Sequence, residues 1–350
     1  MPAETYDAGP VAALRRIAFL LERSRADTYK VKAFRSAAAT LLPLPEDELT
    51  ARAESGTLKD LPGVGASTAA VITEALAGTV PARLAKLEQE EGGPLVEGGT
   101  TVRAALRGDL HSHSDWSDGG SPIEEMAFTA MELGHEYLVL TDHSPRLAVA
   151  NGLSVARLTK QLGVVEAVNE HLADSGAGDF TLLKGIEVDI LDDGALDQTD
   201  EMLDRLDLRV ASVHSKLRMD KDAMTRRMVA AVRNRRTNVL GHCTGRLVTG
   251  NRGTRGQSEF DARAVFEACA EHDVAVEINA RPERRDPPGE LIELARDLGC
   301  LFSIDSDAHA PGQLDFQIYG CARAEQHEVP PERIVNTWTR AELLDWASRR

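Results

Sequence analysis

The feature that most constrains the fold is an alternation of short apolar runs and amphipathic stretches that begins near residue 105. Seven apolar runs predict buried strands, and they lie at residues 108–111, 137–141, 181–187, 208–214, 238–242, 274–279 and 301–305. Helical periodicity separates most of them, at residues 123–133, 155–172, 221–235, 262–272 and 288–298. Strands that alternate with helices run parallel in one sheet. Seven such units favour a (β/α) barrel over an open sheet, although periodicity alone allows either.

Residues 1–95 show a different pattern, which predicts a small all-α domain. Apolar residues recur at helical spacing from Val11 to Leu21 and again from Tyr29 to Ala37. The segment Leu61-Pro62-Gly63-Val64-Gly65 predicts a tight turn between two helices, where a ligand can approach the backbone closely. Amide groups at the start of the next helix can hold a phosphate oxygen, which makes Gly63 and Gly65 candidate DNA-binding residues. The alternative is a plain connection between two helices.

The domain boundary is expected in the glycine-rich segment at residues 92–100. Such a composition is typical of a linker or an exposed loop. We therefore divide the chain into a helix-hairpin-helix-like domain at residues 1–95, a linker at 96–104 and a barrel domain at 105–345.

Composition and charge argue against several classes of protein. No apolar run approaches the ~20 residues of a membrane-spanning helix, and residues 1–4 do not begin a signal sequence, so we expect a cytoplasmic protein without a membrane partner. The net charge of −16 disfavours a general nucleic-acid coat, because a field of that sign repels phosphates. Residues 1–42 nevertheless carry seven basic and four acidic side chains. The four cysteines form no C-x-x-C pair, which argues against a thiolate zinc site and favours reduced packing thiols.

Histidine and carboxylate side chains gather at the C-terminal ends of the predicted strands. In a parallel barrel these ends meet on one face, where active sites are built. Nine candidate metal ligands follow this rule: His111, His113, Asp118, His143, Glu187, His214, His242, Asp307 and His309. Asp142 and Asp305 lie at the same strand ends. Histidines that only pack would be scattered along the chain, so this concentration predicts a functional site.

The residue types at these strand ends indicate the chemistry. Imidazole and carboxylate ligands without thiolates suit Zn²⁺, Mn²⁺ or Fe²⁺. Nine ligands exceed the about four that one zinc ion takes, which implies two or three divalent ions. Closely spaced ions bind phosphate oxygens and activate a bridging water, so the predicted reaction is hydrolysis of a phosphoester. The sequence contains no G-x-S-x-G elbow and no G-x-x-x-x-G-K-[ST] loop, so other reaction types fit less well.

The strand-end residues resemble the motif series of the polymerase and histidinol phosphatase (PHP) family over roughly residues 105–345. The matching segments are His111-Ser112-His113, Ser117-Asp118-Gly119, Thr141-Asp142-His143, Gly185-Ile186-Glu187, Ser212-Val213-His214, Gly241-His242 and Ser306-Asp307-Ala308-His309. The resemblance implies a distorted seven-stranded (β/α) barrel with a trinuclear metal site. It implies one ion on His111, His113, Glu187 and Asp307, a second on Glu187, His214 and His242, and a third on Asp118, His143 and His309. We expect the nucleophile to be a metal-bridging water held by Glu187, with no covalent enzyme intermediate.

A closer resemblance is to the two ends of bacterial family X DNA polymerases. The segments 108–119, 244–247 and 277–285 resemble stretches of their C-terminal part, and residues 31–35 with the glycine hairpin resemble their start. The nucleotidyl-transfer domain between these parts is missing, so we expect no polymerase activity. Cys243 follows His242 where the polymerases usually carry proline, and Val71 stands where related lyase domains often carry lysine. Without that amine we expect no lyase activity.

These observations predict a metal-dependent phosphoesterase that acts on DNA ends, as a 3′–5′ exonuclease, a 3′-phosphatase or a repair endonuclease. The helical domain would hold DNA through sequence-independent phosphate contacts. Arg246 and Arg284 follow strand ends and are candidate substrate-binding residues, the alternative being surface or ion-pair arginines. The alternative function is a small-molecule phosphatase of the histidinol-phosphatase type, with a phosphorylated small molecule as its partner. A non-enzymatic binding module is a further alternative, which the complete ligand set opposes, and the oligomeric state stays open.

Overall fold

A computed structural model describes residues 5–176, 178–250 and 253–349. Residues 1–4, on which the expectation of no signal sequence rests, lie outside the described residues. The chain divides into two compact units, Met1–Pro94 and Leu95–Arg350. Within the described residues, no helix is both long enough and apolar enough to cross a membrane.

Helices form the described part of the first unit, as its periodicity predicts, apart from one isolated antiparallel bridge between Thr5 and Thr79. Its helices are α1 Gly9–Arg23, α2 Thr28–Leu41, α3 Glu46–Ser55, α4 Ala66–Leu76 and α5 Ala82–Glu91. The apolar stripe of α1, which includes Leu14, Ile17 and Leu21, is buried against the neighbouring helices α2, α4 and α5. The stripe supplies the core of the unit because helical spacing puts these side chains on one face.

The glycine hairpin packs against α2. Gly63 has a φ of +74°, and a Cβ there would lie 3.2 Å from the Cβ of Ser36, so the turn requires glycine at this position. Thr40 Oγ1 donates to the Pro62 carbonyl (2.9 Å) and ties the turn to the same helix. The element before the turn is a short 3-10 turn at Leu58–Asp60 rather than an α-helix, because the left-handed Gly56 ends α3 just before it.

Seven parallel strands in sequence order form the sheet of the second unit. They are β1 Gly108–Ser112, β2 Tyr137–Leu140, β3 Thr181–Asp189, β4 Leu208–Ser212, β5 Val239–Leu240, β6 Ala275–Asn279 and β7 Phe302–Asp305. A parallel bridge between Ser112 and Ala308 brings the two edges of the sheet together. The amide of His113 donates to the Ala308 carbonyl (2.8 Å) at the same seam. The predicted α/β barrel is thus confirmed as a nearly closed one.

Helices follow most of the strands and cover the barrel from outside. They are α6 Thr100–Ala105, α7 Ile123–Glu132, α8 Val155–Ser175, α9 Asp200–Leu203, α10 Lys221–Arg233, α11 Ala262–Glu271, α12 Gly289–Asp297, α13 Gln317–Gln326 and α14 Arg340–Ser348. Helix α14 packs Leu343 and Trp346 against the apolar interior at the N-terminal ends of the strands. That end of the barrel is therefore closed by apolar side chains.

Part of the predicted linker at residues 96–104 is ordered helix. Helix α6 begins at Thr100, and the Glu325 carboxylate on α13 accepts hydrogen bonds from the amides of Gly99 (2.7 Å) and Val102 (3.0 Å). A carboxylate at a helix start pairs with amides that lack partners within the helix, which stabilises this short segment. The partner is more than 220 residues away in the chain, so the glycine-rich composition could not reveal it.

The C-terminal ends of the strands turn polar side chains into the barrel. In β6, Val276 and Ile278 belong to the apolar cluster that the outer helices cover, while Ala275 lies in the interior apolar cluster. Because successive side chains of a strand alternate between faces, Glu277 and Asn279 share the interior face with Ala275. Both polar side chains are fully buried. The same alternation in β3 puts Glu187 on the interior face with Leu183, whereas in β1 the strand register shifts between Asp109 and Ser112, where His111 lies.

Candidate metal centre

All nine predicted ligands lie at the same end of the barrel. His111 is in β1, with His113 and Asp118 in the loop that follows; Glu187 is in β3; His143, His214 and His242 follow β2, β4 and β5; and Asp307 and His309 follow β7. Six of the nine are at least 95% buried, while His214, His309 and Asp118 are more exposed. The topology therefore brings together residues that are almost 200 positions apart in the sequence.

The nine side chains form four overlapping groups whose ligand atoms lie within 4.8 Å of one another. The groups are His113, Asp118, His143 and His309; His111, His113 and Asp307; His111, Glu187 and His242; and His143, Glu187 and His214. The partition implied by the family resemblance differs from these groups at three places, the first being that His113 is grouped with Asp118, His143 and His309. His242 is grouped with His111, and His143 is grouped with His214 as well as with Asp118. Each group contains only nitrogen and oxygen donors.

Glu187 is the centre of the arrangement, because both of its carboxylate oxygens face imidazoles. Oε1 lies 2.9 Å from His242 Nε2 and 3.1 Å from His214 Nε2. Oε2 lies 2.9 Å from His143 Nδ1 and 3.3 Å from His111 Nε2. A carboxylate placed in this way can bridge two cations, one on each oxygen.

Unpartnered buried atoms show that the residues fit divalent cations. Within the described part of the chain, seven atoms of this set are buried and make no hydrogen bond: His111 Nε2, His113 Nδ1, His113 Nε2, His143 Nδ1, Glu187 Oε2, His214 Nε2 and His242 Nδ1. Buried polar atoms are nearly always satisfied in folded proteins, since an unmet one destabilises the fold by ~1–3 kcal/mol. Metal coordination would satisfy imidazole nitrogens and carboxylate oxygens together.

The charges around the site support the same interpretation. Burial opposes ionisation of Glu187, but the imidazoles of His214, His111 and His143 more than compensate and hold its pKa well below the usual range. Burial, followed by His309 and His143, lowers the pKa of His113 to about 3. The carboxylate is therefore ionised and the imidazole of His113 is neutral, and these are the forms that bind metal ions. Burial lowers the pKa of His111 and His143, but Glu187 and its neighbouring carboxylates raise it more, to about 10 for His143, so these two imidazoles must each lose a proton when a metal binds.

Two carboxylates that the motif analysis did not assign orient the predicted ligands. Glu277 Oε1 lies 2.6 Å from His111 Nδ1, and Asp189 Oδ1 lies 3.1 Å from His214 Nδ1. A carboxylate that accepts the Nδ1 proton leaves the Nε2 lone pair free for a metal. The sequence does carry a signal for both residues, since each is an acid within a buried apolar strand, on the interior face.

Asp142 and Asp305 reach the strand ends but belong to none of the four groups. Asp142 accepts hydrogen bonds from Ser114 (Oγ, 2.6 Å) and Gln161 (2.6 Å), and it thereby holds the loop that carries Asp118. Asp305 accepts from the amide of Leu110 (3.0 Å) and joins β7 to β1. Both therefore support the backbone below the site.

The two candidate substrate arginines are engaged within the protein. Arg246 donates to the carbonyl oxygens of Arg284 (3.2 Å) and Arg285, and it so ties down the loop after β6. Arg284 Nε donates to Asp307 Oδ2 (3.0 Å). Asp307 has a φ of +50°, a conformation that non-glycine residues rarely adopt, and Arg284 helps to hold it. Substrate binding by Arg246 and Arg284 stays a prediction.

In the helical unit, several of the basic residues near the N-terminus form internal contacts. Arg16 pairs with Glu88 (2.6 Å), and Arg35 pairs with the buried Glu22 (2.7 Å). At the hairpin, the amide of Gly65 donates to Thr68 Oγ1 (2.9 Å). Part of the local excess of positive charge is therefore neutralised by ion pairs within the unit. The DNA-binding roles of Gly63 and Gly65 stay predictions.

Comparison with known families finds two matches. Residues 8–79 match a helix-hairpin-helix domain, and residues 109–281 match the PHP domain. Together they cover the hairpin and the strand ends from β1 to β6.

Three individual proteins illustrate what this chain is similar to. The DNA polymerase/3′-5′ exonuclease PolX of Bacillus subtilis is 36% identical over 231 residues, which is 66% of this chain but 39% of that protein. The chain therefore covers about two fifths of the length of that relative. The probable phosphatase YcdX of Escherichia coli is 28% identical over 254 residues, which is 69% of this chain and 94% of that protein. A structure of histidinol phosphate phosphatase from Lactococcus lactis, with zinc, L-histidinol and phosphate, covers 63% of this chain and 92% of that one at 17% identity and a TM-score of 0.45.

Proposed function

Because this chain belongs to the PHP family and carries a helix-hairpin-helix domain ahead of its PHP domain, we propose that it is a metal-dependent phosphoesterase that acts on DNA ends. The activity would be that of a 3′–5′ exonuclease, a 3′-phosphatase or a repair endonuclease. The observation that carries the hydrolytic part is the set of four ligand groups joined through Glu187 and its neighbours.

The nine candidate ligands would hold two or three divalent ions, Zn²⁺, Mn²⁺ or Fe²⁺, in the four overlapping groups. Such ions supply Lewis acidity and an activated water for attack on phosphorus. Glu187 contributes a carboxylate that stays ionised. One of its oxygens faces His242 and His214, and the other faces His143 and His111. Glu277 and Asp189 keep the imidazoles of His111 and His214 in the orientation that ligation requires.

The open side of the cluster indicates where a substrate would enter. The side chain of Asp118 is 36% exposed and that of His309 is 20% exposed, whereas Glu187 and His111 are almost completely buried. A phosphoester would therefore approach over Asp118 and His309. The deeper residues are shielded from water on the barrel side.

DNA is the preferred substrate because the helical unit provides a means of holding it. The hairpin at Gly63 and Gly65 precedes α4, and a helix start presents backbone amides to an anion. A relative whose name states exonuclease activity is 36% identical to this chain over 231 residues, which supports a nucleic-acid substrate. Phosphate contacts of this kind do not depend on base sequence.

A small-molecule phosphatase is the second candidate, and one observation favours it. The match to a probable phosphatase covers 94% of that protein over 254 residues, a length close to that of the barrel domain alone. In this case the helical unit would have another role. A cytoplasmic location remains a prediction from the sequence.

A hydrolysis panel on the metal-loaded protein tests both candidates. The substrates are p-nitrophenyl phosphate, histidinol phosphate, and DNA duplexes with 3′-hydroxyl or 3′-phosphate ends, and the inactive control is the double variant His111→Ala, His113→Ala. If product is released faster from the DNA duplexes than from the small phosphates, and this release is lost in the control, the proposal is supported. Preferential cleavage of the small phosphates, unchanged when residues 1–95 are deleted, would refute the DNA assignment.

The role of the hairpin needs a variant that keeps the fold. A Cβ on Gly65 meets no atom within 4 Å and its φ is ordinary, so Gly65→Val should fold normally while obstructing the approach of a phosphate. Gly93→Val in the same unit is the matched control, since its Cβ also meets open space. At each of several salt concentrations, Gly65→Val should bind DNA more weakly than wild type, whereas Gly93→Val should bind it as wild type does. Equal binding by both variants would contradict a role of the hairpin.

A further inference from the structure

A cavity of about 660 Å³ lies in the barrel unit between the loop that follows β6 and helix α13. Asn279 and Arg281 contribute from the strand end and the loop, and Tyr319 and Arg323 contribute from the helix. Its volume falls in the range of ~300–1,000 Å³ that small-molecule sites occupy. Its lining includes none of the nine candidate metal ligands, so it is a separate cavity beside the metal centre.

Two of the lining side chains connect this cavity to the metal centre. Asn279 Nδ2 donates to Asp307 Oδ2 (3.1 Å), and Arg281 Nη1 donates to the Asp307 carbonyl (3.2 Å). Arg281 Nη1 also lies 2.8 Å from His309 Nδ1. A ligand in the cavity would therefore be one side chain away from two candidate metal ligands.

Arg323 provides an unsatisfied cationic donor. Its Nη2 donates to the Pro287 carbonyl, while its Nη1 is buried and makes no hydrogen bond among the described residues. Burial and the nearby cations of Arg246 and Arg285 lower its pKa to about 10, against the opposing effect of Asp286, so the side chain is charged at neutral pH. A buried guanidinium N–H that lacks an acceptor favours an anion from outside.

The acidic residues of the lining do not cancel this charge. The Glu325 carboxylate is already held by the amides of Gly99 and Val102 at the start of α6. Glu97 is exposed, and the same lining contains three arginines, Arg281, Arg285 and Arg323. The cavity wall therefore has a net positive charge.

The remainder of the wall suits the flat, partly apolar body of a nucleoside. Tyr319 is half-buried and presents an aromatic ring, and Ala280, Pro282 and Ala322 complete this side. Aromatic rings contact nucleobases by stacking, which stabilises binding without selecting a base. Arginines and an aromatic ring in one cavity match a ligand that joins a phosphate to a base.

We propose that this cavity binds the phosphate-bearing nucleoside unit adjacent to the ester that is cleaved, with Arg323 and Arg285 on its phosphate and Tyr319 on its base. The proposal rests on the proposed phosphoesterase function, which brings a nucleic-acid chain to the metal centre. The phosphate could equally belong to a free mononucleotide, and the experiment distinguishes the two sources.

The first test is binding without catalysis. The full chain in excess chelator is titrated calorimetrically with adenosine 5′-monophosphate, inorganic phosphate and a short single-stranded DNA. Arg323→Gln and Arg285→Asn should weaken binding of the mononucleotide about tenfold or more, as expected for charge-assisted hydrogen bonds. Tyr319→Leu should weaken it about fivefold or more and leave inorganic phosphate unaffected. Arg263→Ala on α11, an exposed arginine outside the cavity, is the charge-matched control.

The outcomes separate this site from the catalytic proposal. Wild-type affinity for the mononucleotide in both Arg285→Asn and Tyr319→Leu overturns the site, even if Arg323→Gln fails to fold. Inorganic phosphate that binds as tightly as the mononucleotide overturns the nucleoside part. A protein that hydrolyses nothing can still pass this binding test, so failure of the phosphoesterase function is recognised independently.

The second test uses the metal-loaded enzyme. If the unit belongs to a DNA chain, Arg285→Asn and Tyr319→Leu should raise KM for a DNA end with little change in kcat. Hydrolysis of p-nitrophenyl phosphate, which carries no nucleoside unit, should be affected less than hydrolysis of the DNA end. The ligand would not be an adjacent unit of DNA if the free mononucleotide binds more tightly than DNA and if both variants hydrolyse DNA with unaltered KM and kcat.

Discussion

Replacement of Glu277 by glutamine is the sharpest test of how the fold prepares the metal centre. The Glu277 carboxylate has three neighbours that can all donate: His111 Nδ1 at 2.6 Å, the amide of His242, and Asn279 Nδ2 at 3.2 Å. Glutamine offers one acceptor oxygen and one amino group in nearly the same shape. One of its two ends must therefore face a donor.

The expected loss of metal affinity depends on which end of the glutamine amide faces a hydrogen-bond donor. If the amide oxygen keeps His242 and Asn279, its NH₂ group faces His111 Nδ1, and the imidazole proton must move to Nε2. Nε2 is the atom that faces Glu187 Oε2 (3.3 Å), and once protonated it cannot ligate a metal. The opposite amide orientation places the NH₂ group against two buried donors, the His242 amide and Asn279 Nδ2, which is unfavourable by ~1–3 kcal/mol. Loss of such a supporting partner weakens metal binding about 10- to 100-fold, or ~1.4–2.8 kcal/mol.

The assay is a titration of the metal-free protein with Zn²⁺ or Mn²⁺ against a competing chelating dye. Glu277→Gln is compared with wild type and with Glu271→Gln, an exposed side chain at the end of α11 that loses the same charge. Thermal unfolding of the metal-free proteins verifies that the variants fold. Wild-type metal affinity in a folded Glu277→Gln would refute the argument that this carboxylate sets the His111 tautomer.

Three further predictions test other parts of the molecule. Glu187→Gln should reduce the metal content per chain, measured by elemental analysis, and lower hydrolysis more than the about 100-fold expected for a supporting residue; full metal content would contradict its central place. Gly63→Ala should destabilise the helical unit by ~1–3 kcal/mol because the turn needs a φ of +74°, and an unchanged melting temperature relative to Gly65→Ala would count against this. Burial, followed by Arg103, lowers the pKa of His135 to about 3, so the folded state resists its protonation and stability is lost as pH falls below about 6.5. Denaturant unfolding of His135→Gln should show a shallower loss between pH 7 and 4 than wild type, and parallel profiles would exclude the effect.

The number and order of the strands could be predicted because each is a short apolar run with helical sequence on either side. The candidate ligands could be proposed for a related reason: each lies near the end of such a run or in the loop that follows it, and parallel strands share one C-terminal face. Glu277 and Asp189 belong to none of the recognised metal-ligand motifs, although a buried acid within an apolar strand is a recognisable signal. The ordered start of α6 was missed because its partner, Glu325, is remote in the sequence.

The sequence by itself determined the fold class, the polar end of the barrel and the chemical type of the site, since these depend on residue type and on spacing within single strands and helices. Only the tertiary structure decided how the ligand atoms are grouped, which imidazole nitrogens are free, and that Arg246 and Arg284 already bind protein atoms. It also revealed the cavity beside Asn279, whose walls come from a strand end and from a helix some 40 residues later. Such features depend on distances of a few ångströms between side chains that are far apart in the chain, and no local pattern encodes those distances.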